Sequence, residues 1–357
     1  MDNTVCIDWL AVTVKPVETT PIKAVKRIIE RTLQMEFNNF AFQNWGINRY
    51  NCHYVSGDIK VYYSQDERTG LLSEKMGLFI QMTGNGCRQY EEYMRGNVNN
   101  WVELVKRFMK EGGCFTRIDI ANDIYDESLN VQQVYHYCKS GLCISFFKKY
   151  EYHEAGILEN GEVVGETVNI GTKGNDGQQL GIYNKLMERK ELGESLNSLD
   201  SWVRSELRLF GKRAHKVAEI MATRKPLKEI YFGVVGSSYR FVSDDRHSVD
   251  KNKRRRSTVQ WWTDYITTKQ KTSLKFTREK VTLKNTERYL DKQVAKSLAK
   301  VYKAKELVAG SDEAIAYILK LLEEGDKKIT AKDMAEINQY VVEQRNDEFW
   351  AICEPEK

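Results

Sequence analysis

"FTRIDIANDIY", residues 115–125, alternates in steps of two. Ile118, Ile120 and Ile124 fall on one side of an extended chain, and Arg117, Asp119 and Asp123 on the other. This is the pattern of a strand that turns one face to a core and the other to charged chemistry. Two later stretches repeat it. "SWVRSELRLF" (201–210) sets Val203, Leu207 and Leu209 against Arg204, Glu206 and Arg208. "LGIYNKLMERK" (180–190) sets Leu180, Ile182, Asn184 and Leu186 against Tyr183 and Lys185.

Outward from these strands, alternation and turn residues predict a strand near 5–14, a helix near 21–35, strands near 45–55, 58–64 and 76–84, and a helix near 88–111. A second round predicts a strand at 115–125, a helix at 131–140, strands near 143–150, 163–171, 179–188 and 201–210, and a helix near 213–223. Most connections between strands are too short for parallel crossovers. The expected class is therefore α+β: a mostly antiparallel sheet with helices, read as two duplicated β-α-βββ-α units, although no sequence repeat links them. Beyond about 245 the texture changes to "SDDRHSVDKNKRRRSTVQWW" and then to helical periods, which sets the expected domains at 1–245 and 246–357.

Charge is placed unevenly. Residues 251–305 hold seventeen Lys and Arg against four Asp and Glu, although the whole chain is only +5, so the remainder is net acidic. A polycationic segment predicts a polyanionic partner, or else a solvated lysine-rich surface. Within it, Lys284, Arg288, Lys292, Lys296 and Lys300 recur every four residues, with Leu290, Val294 and Leu298 roughly opposite, as on an amphipathic helix. "DKKITAKDMAEINQYVVEQR" reads as a further helix with Thr330 as its N-cap. Lys253, Arg254, Arg255 and Arg256 stand just before Trp261 and Trp262, which suit a core more readily than base stacking.

No apolar run reaches the roughly 18 residues of a membrane helix, and "MDNTVCIDWLAVTVK" opens into a strand pattern without a secretory signal, so a cytoplasmic protein without a membrane partner is expected. Seven cysteines without a C-x-x-C pair fit neither a disulfide framework nor a structural zinc site. The five histidines form no H-x-H or H-E-x-x-H pattern, so any metal must be held by carboxylates. If the polar faces of the three strands share one side of one sheet, they assemble carboxylates, cations and a tyrosine hydroxyl. That set serves metal-assisted phosphoryl transfer: carboxylates as oxygen ligands for Mg²⁺ or Mn²⁺, cations to stabilise the developing charge, and a tyrosine hydroxyl as nucleophile, with Lys185 placed to help Tyr183. The same residues also form ordinary cross-strand ion pairs on many sheets.

The ordered set "TRIDIANDIYD" (116–126), "VNIGTKGNDGQQLGIYNK" (168–185), "WVRSELRLFGKRAHKVA" (202–218) and "WWTDYI" (261–266) resembles the Rep_trans family of replication initiation factors. That family covers rolling-circle plasmid initiators and the NicK- or MobT-like relaxases of integrative conjugative elements. The resemblance implies sequence-specific DNA nicking and strand transfer, a topoisomerase-like transesterification that leaves a 5′-phosphotyrosine and frees a 3′-OH. It carries the nucleophile to Tyr183 and the metal ligands to Asp119 and Glu206, with Asp123 as a third. An all-carboxylate site suits this family, whereas HUH relaxases need histidines. The implied partner is DNA at a replication or transfer origin, single-stranded or in a cruciform, and a helicase and a homodimer are compatible with it. Arg117, Lys173, Arg204, Arg208, Lys253, Arg254, Arg255, Arg256, Lys292 and Lys296 are the expected DNA contacts. The chain departs from the family pattern at Gly181, where an Arg commonly precedes the I-Y pair, and at Asn184, often acidic. A non-catalytic origin- or operator-binding protein, with Tyr183 merely packed, is the competing expectation.

Overall fold

The computed structural model describes residues 2–341, apart from 67, 74–75, 95–99, 175, 195, 197–198, 246–251, 267–271, 273, 275–282, 331–332, 335–336 and 339. Two compact units divide it, residues 1–275 and 276–357. In the first half of the larger unit come β1 (Thr4–Val14), α1 (Pro21–Arg27), β2 (Ala41–Gln43), β3 (Cys52–Ser56), β4 (Ile59–Tyr63), β5 (Leu78–Met82), α2 (Gly84–Met94) and α3 (Trp101–Lys110). The second half holds β6 (Cys114–Ile124), α4 (Val131–Lys139), β7 (Cys143–Ser145), β8 (Tyr150–Gly156), β9 (Val163–Thr172), β10 (Gln178–Asn184), α5 (Lys185–Glu191), β11 (Val203–Phe210), α6 (Lys212–Ala222), α7 (Leu227–Ser238), β12 (Tyr239–Phe241) and α8 (Gln260–Tyr265).

Among the described residues, ten of these strands form one sheet in the order β2-β3-β4-β5-β1-β6-β11-β10-β9-β8, with antiparallel pairing throughout. The two halves repeat one topology, with four strands of the main sheet after the first helix where the expected β-α-βββ-α unit had three. β1 and β6 pair at the centre, and each is followed outward by the strands of its own half in reverse chain order. The apolar residues of the central strands, including Ile7, Leu10, Ile118, Ile120, Leu180, Ile182, Leu207 and Leu209, are fully buried in one core with Val217 and Ala218 of α6 and Val234 of α7. Each such aliphatic side chain contributes roughly 1.5–3 kcal/mol by leaving water. Asn122 and Ser205, which interrupt this apolar face, are register partners served by Tyr231 and Tyr265: Tyr231 Oη lies 2.7 Å from Ser205 Oγ and 2.8 Å from Tyr265 Oη, and Asn122 donates to Tyr265 Oη at 3.2 Å. The buried polar groups therefore find partners and the core tolerates them.

Three expectations about elements are corrected. The strand predicted at 179–188 stops at Asn184, whose side chain accepts from Met187 N at 3.1 Å and caps α5, so Lys185 opens a helix instead of continuing the strand. The single helix near 88–111 is two helices, the second capped by Asn100 accepting from Glu103 N at 3.1 Å. The strand near 143–150 shrinks to β7, which pairs with β12 in a separate two-stranded sheet, while β8 takes the edge of the main sheet. The larger unit also runs past the composition change at 245, because Trp262, Tyr265 and Leu274 are buried in its core.

The smaller unit contains α9 (Leu283–Tyr289), one π-turn (Leu290–Val294), α10 (Ala295–Ala309) and α11 (Ser311–Asp326). The π-turn breaks the four-residue period on which the continuous basic face was read. Lys292, Lys296 and Lys300 are exposed, as are Leu290 and Leu298. The side chains of Lys284 and Arg288 lie outside the described residues. Thr330 does cap: Asp333 N donates to its Oγ1 at 3.3 Å while Thr330 N donates to Asp333 Oδ2 at 2.8 Å. Among the described residues no helix is long and apolar enough to cross a membrane.

Candidate active site

Register places the polar residues of β1, β6, β11, β10 and β9 in parallel rows on one face, because partners across an antiparallel pair share a side. One row runs Asp123, Arg204, Tyr183, Thr167. The next runs Ala121, Glu206, Gly181, Asn169, and the third Trp9, Asp119, Arg208, Gln179. A fourth pairs Arg117 with Phe210. The three charged strand faces expected from sequence thus lie on one side of one sheet, with Ala121 and Gly181 leaving a depression around Glu206.

At the centre stand Asp119 and Glu206, both buried and hydrogen-bonded to each other. Arg117 Nε reaches Asp119 Oδ2 at 3.0 Å, and Arg208 Nη2 reaches Glu206 Oε2 at 2.6 Å. Burial, opposed by Arg117 and reinforced by Glu206, pushes the Asp119 carboxyl up to about 7. Burial also disfavours charge on Glu206, but the Arg208 hydrogen bond outweighs it and holds that carboxyl below the usual range. On passing down through neutral pH, Asp119 is therefore the carboxyl of the pair that takes up a proton, while Glu206 stays ionised.

Gly181 is explained by Arg208. A Cβ there would stand 3.0 Å from Asn169 Oδ1 and 3.2 Å from Arg208 Nη2. The guanidinium, which also donates to Asn169 at 3.2 Å and Gln179 at 3.0 Å, occupies the space a side chain at 181 would need. A cation is thus present beside the tyrosine strand, delivered from β11. Tyr183 is one row away from Glu206. Burial first, and then the charge of Glu206, push its phenol above the usual value, with Arg204 opposing. Lys185, although on α5, keeps its ammonium 5.6 Å from the Tyr183 ring centroid while pairing with Glu188.

The structure does not bring Asp123 to the carboxylate pair. Its Oδ1 accepts from Trp202 Nε1 at 2.6 Å and from Arg204 Nε at 2.8 Å, and its Oδ2 accepts from Arg204 Nη2 at 2.8 Å. Arg204 also reaches Asp8 Oδ1 at 3.0 Å. Asp123 and Asp8 together neutralise a buried guanidinium next to Tyr183. Asp123→Ala should cost about 3 kcal/mol in urea unfolding, because a buried ion pair loses one partner and Asp8 compensates only in part; a loss below about 1 kcal/mol would mean that Arg204 swings out to water.

The expected DNA contacts divide. Arg117, Arg204 and Arg208 are site residues held by carboxylates. Lys173, exposed in the β9–β10 hairpin, overhangs the same depression. Lys253 donates to the carbonyls of Ser140 and Gly141 at 3.1 and 3.0 Å, beside the end of α4, and the Arg256 side chain is mostly buried near Ser243. Arg254 and Arg255 are exposed. Trp262 is in the core, and Trp261 packs on Tyr137 and Phe241. Sequence reasoning missed Asp8, Trp9 and Trp202, whose roles depend on register across strands. Among the described residues no cluster of three or more His, Cys, Asp or Glu forms a ready metal cage.

The family model for replication initiation factors, Rep_trans, matches residues 113–318, and that for the rolling-circle replication initiation protein N-terminal domain matches residues 4–107. The two matches meet just before β6, where the second half of the sheet begins. A Bacillus subtilis (strain 168) protein with the provisional name DNA relaxase NicK is 27% identical over 319 residues, 89% of this chain and 88% of that one. The solved structure of a rolling-circle replication initiator protein from Geobacillus stearothermophilus is similar with a TM-score of 0.63 and 28% identity, covering 74% of this chain and 96% of the other.

Proposed function

Because this chain belongs to the Rep_trans family of replication initiation factors, we propose that it nicks and rejoins one DNA strand at an origin through Tyr183. The observation that carries the reading is the placement of a tyrosine hydroxyl, a carboxylate pair and Arg208 in adjacent rows of one sheet face. In the reaction a bond forms between Tyr183 Oη and the scissile phosphorus as the bond to the 3′ oxygen breaks. The proton lost by the phenol balances the one gained by the departing oxygen. Lys185 and Arg208 stabilise the negative charge that develops between them.

Asp119 and Glu206 fit a hard divalent cation. They offer only oxygen donors, they lie together, and a cation would replace the proton that burial favours on Asp119. Two carboxylates with the remaining positions left to water and phosphate suit Mg²⁺ or Mn²⁺. When bound there, the ion supplies charge stabilisation to a phosphate oxygen. Asp123, one row from Glu206 and two from Asp119, binds Arg204 and Trp202 away from the pair and serves as a positioning residue.

Covalent capture tests this reading. Incubation with single-stranded origin DNA and Mg²⁺ should give a protein–DNA adduct that survives denaturant; its absence on DNA that the protein binds would favour a non-catalytic origin-binding protein. Arg254 and Arg255 are the exposed cations of the basic turn that precedes Trp261 and Trp262. Replacing both with Ala should weaken binding to specific and unrelated duplexes alike and flatten the log–log salt slope by up to about two units, roughly 0.9 for each phosphate that is no longer neutralised. An unchanged slope would remove this turn from the interface.

A further inference from the structure

Beside the carboxylate pair opens a cavity of about 430 Å³, walled by Trp9, Arg117, Lys173, Arg208 and Phe210, with the carboxylates of Glu206 and Asp8 and the backbone of Gly84 at its border. That volume lies in the range of small-ligand sites, roughly 300–1,000 Å³. From the cavity's walls and its place in the rows we infer that it is the subsite for the nucleotide immediately 5′ of the nick, the one that keeps the 3′-OH. The inference rests on the nicking reading proposed above.

Position argues first. In an in-line displacement the attacking and leaving oxygens lie on opposite sides of the phosphorus. Tyr183 shares the row of Arg204; Glu206 is in the next row, Asp119 and Arg208 follow, and Arg117 with Phe210 come last. From Arg204 to Phe210 is six residues, about 20 Å along the strand. A phosphate held at the carboxylate pair therefore has Tyr183 on one side and the Trp9, Arg117 and Phe210 end of the cavity on the other. The bond to the 3′ oxygen breaks toward the cavity, and the nucleoside carrying that oxygen occupies it.

The walls suit a nucleotide. The Arg117 guanidinium lies 3.8 Å from the Trp9 ring centroid and 5.4 Å from that of Phe210, and aromatic rings and guanidinium planes are the groups on which unpaired bases stack. Asp119 holds that guanidinium in place from the other direction. Lys173 and Arg208 bring positive charge for the backbone of the nucleotide, and the Glu206 carboxylate borders the cavity where the 3′ oxygen leaves.

The test uses the full-length Tyr183→Phe protein, in which binding is measured without cleavage, and single-stranded oligonucleotides spanning the nick mapped with the unaltered enzyme. Fluorescence anisotropy compares an intact strand with strands abasic at the first position 5′ or 3′ of the nick. The 5′ abasic site should weaken binding roughly five- to a hundredfold, the range of one base–aromatic stack. Adding Trp9→Ala should abolish that difference, Trp9→Phe should preserve most of it, and the 3′ abasic site should cost the same with or without Trp9. A 5′ penalty untouched by Trp9→Ala, or coupling at the 3′ position instead, overturns the assignment. If Trp9→Ala melts early, Phe210→Ala takes its place with the same expectations. Residual nicking by the Tyr183→Phe protein would show on a denaturing gel and would sink the assignment of Tyr183 as nucleophile, and absence of nicking by the unaltered enzyme would sink the nicking reading, each separately from the coupling result.

Discussion

Tyr183→Phe should reduce nicking by roughly 10⁴-fold or more and eliminate the covalent adduct, as expected when the attacking group itself is removed. Binding of the same DNA should change less than about twofold, because the substitution deletes one oxygen and leaves the ring in place beside Lys185. The two readouts together exclude a packing role, which would shift stability and binding before chemistry. The unaltered enzyme adds a signature. Burial and Glu206 hold the phenol above its ordinary value, so the rate should climb with pH through the neutral range without levelling. If Tyr183→Phe still nicked, the alternatives would narrow to Tyr150 and Tyr152 on the edge strand β8. Tyr239 is fully buried, with its hydroxyl near Ile170 O and Gln178.

Much of this was legible in the sequence because the strands are long and strictly alternating. β6 and β11 each carry a clean apolar set and a clean charged set, and a period of two decides which residues share a face. The two halves were legible as element order, and the pairing of β1 with β6 made them one sheet. What alternation could not give was the end of β10. Asn184 fits a strand position and a helix cap equally well, and only the backbone chooses, which moved Lys185 to α5 while leaving its ammonium near Tyr183. Nor could it show that Asp123 belongs to Arg204, since both the pairing and the Trp202 hydrogen bond depend on register. The basic segment was legible as charge alone. Lys253 turned out to bind backbone carbonyls and Arg256 to be packed, because a cation count carries no information about what each cation faces.

Asp119→Asn and Glu206→Gln should each lower nicking by roughly 10²–10⁴-fold, the scale of several kcal/mol of charge stabilisation at the transition state, and chelation should reproduce the loss in the unaltered protein. Stability separates a ligand role from an ion-pair role. The folded-state pKa of Asp119 is raised to about 7 from the ordinary 3.8, so its favourable contribution is complete below about pH 4 and is lost as pH rises toward 7. Metal-free Asp119→Asn should therefore melt higher than the parent at pH 8 and near it at pH 5, while being far less active at both. The parent should also need more Mg²⁺ as pH falls below about 7, up to roughly tenfold per unit, because proton and cation compete for the same oxygens. Glu206→Gln should show the reverse sign in stability above its ionisation, since Arg208 then loses the carboxylate that holds it. Nicking that survives chelation unchanged, with no pH-dependent demand for Mg²⁺, would leave the two carboxylates as partners of Arg117 and Arg208 alone and place the whole burden of charge stabilisation on the cations around Tyr183.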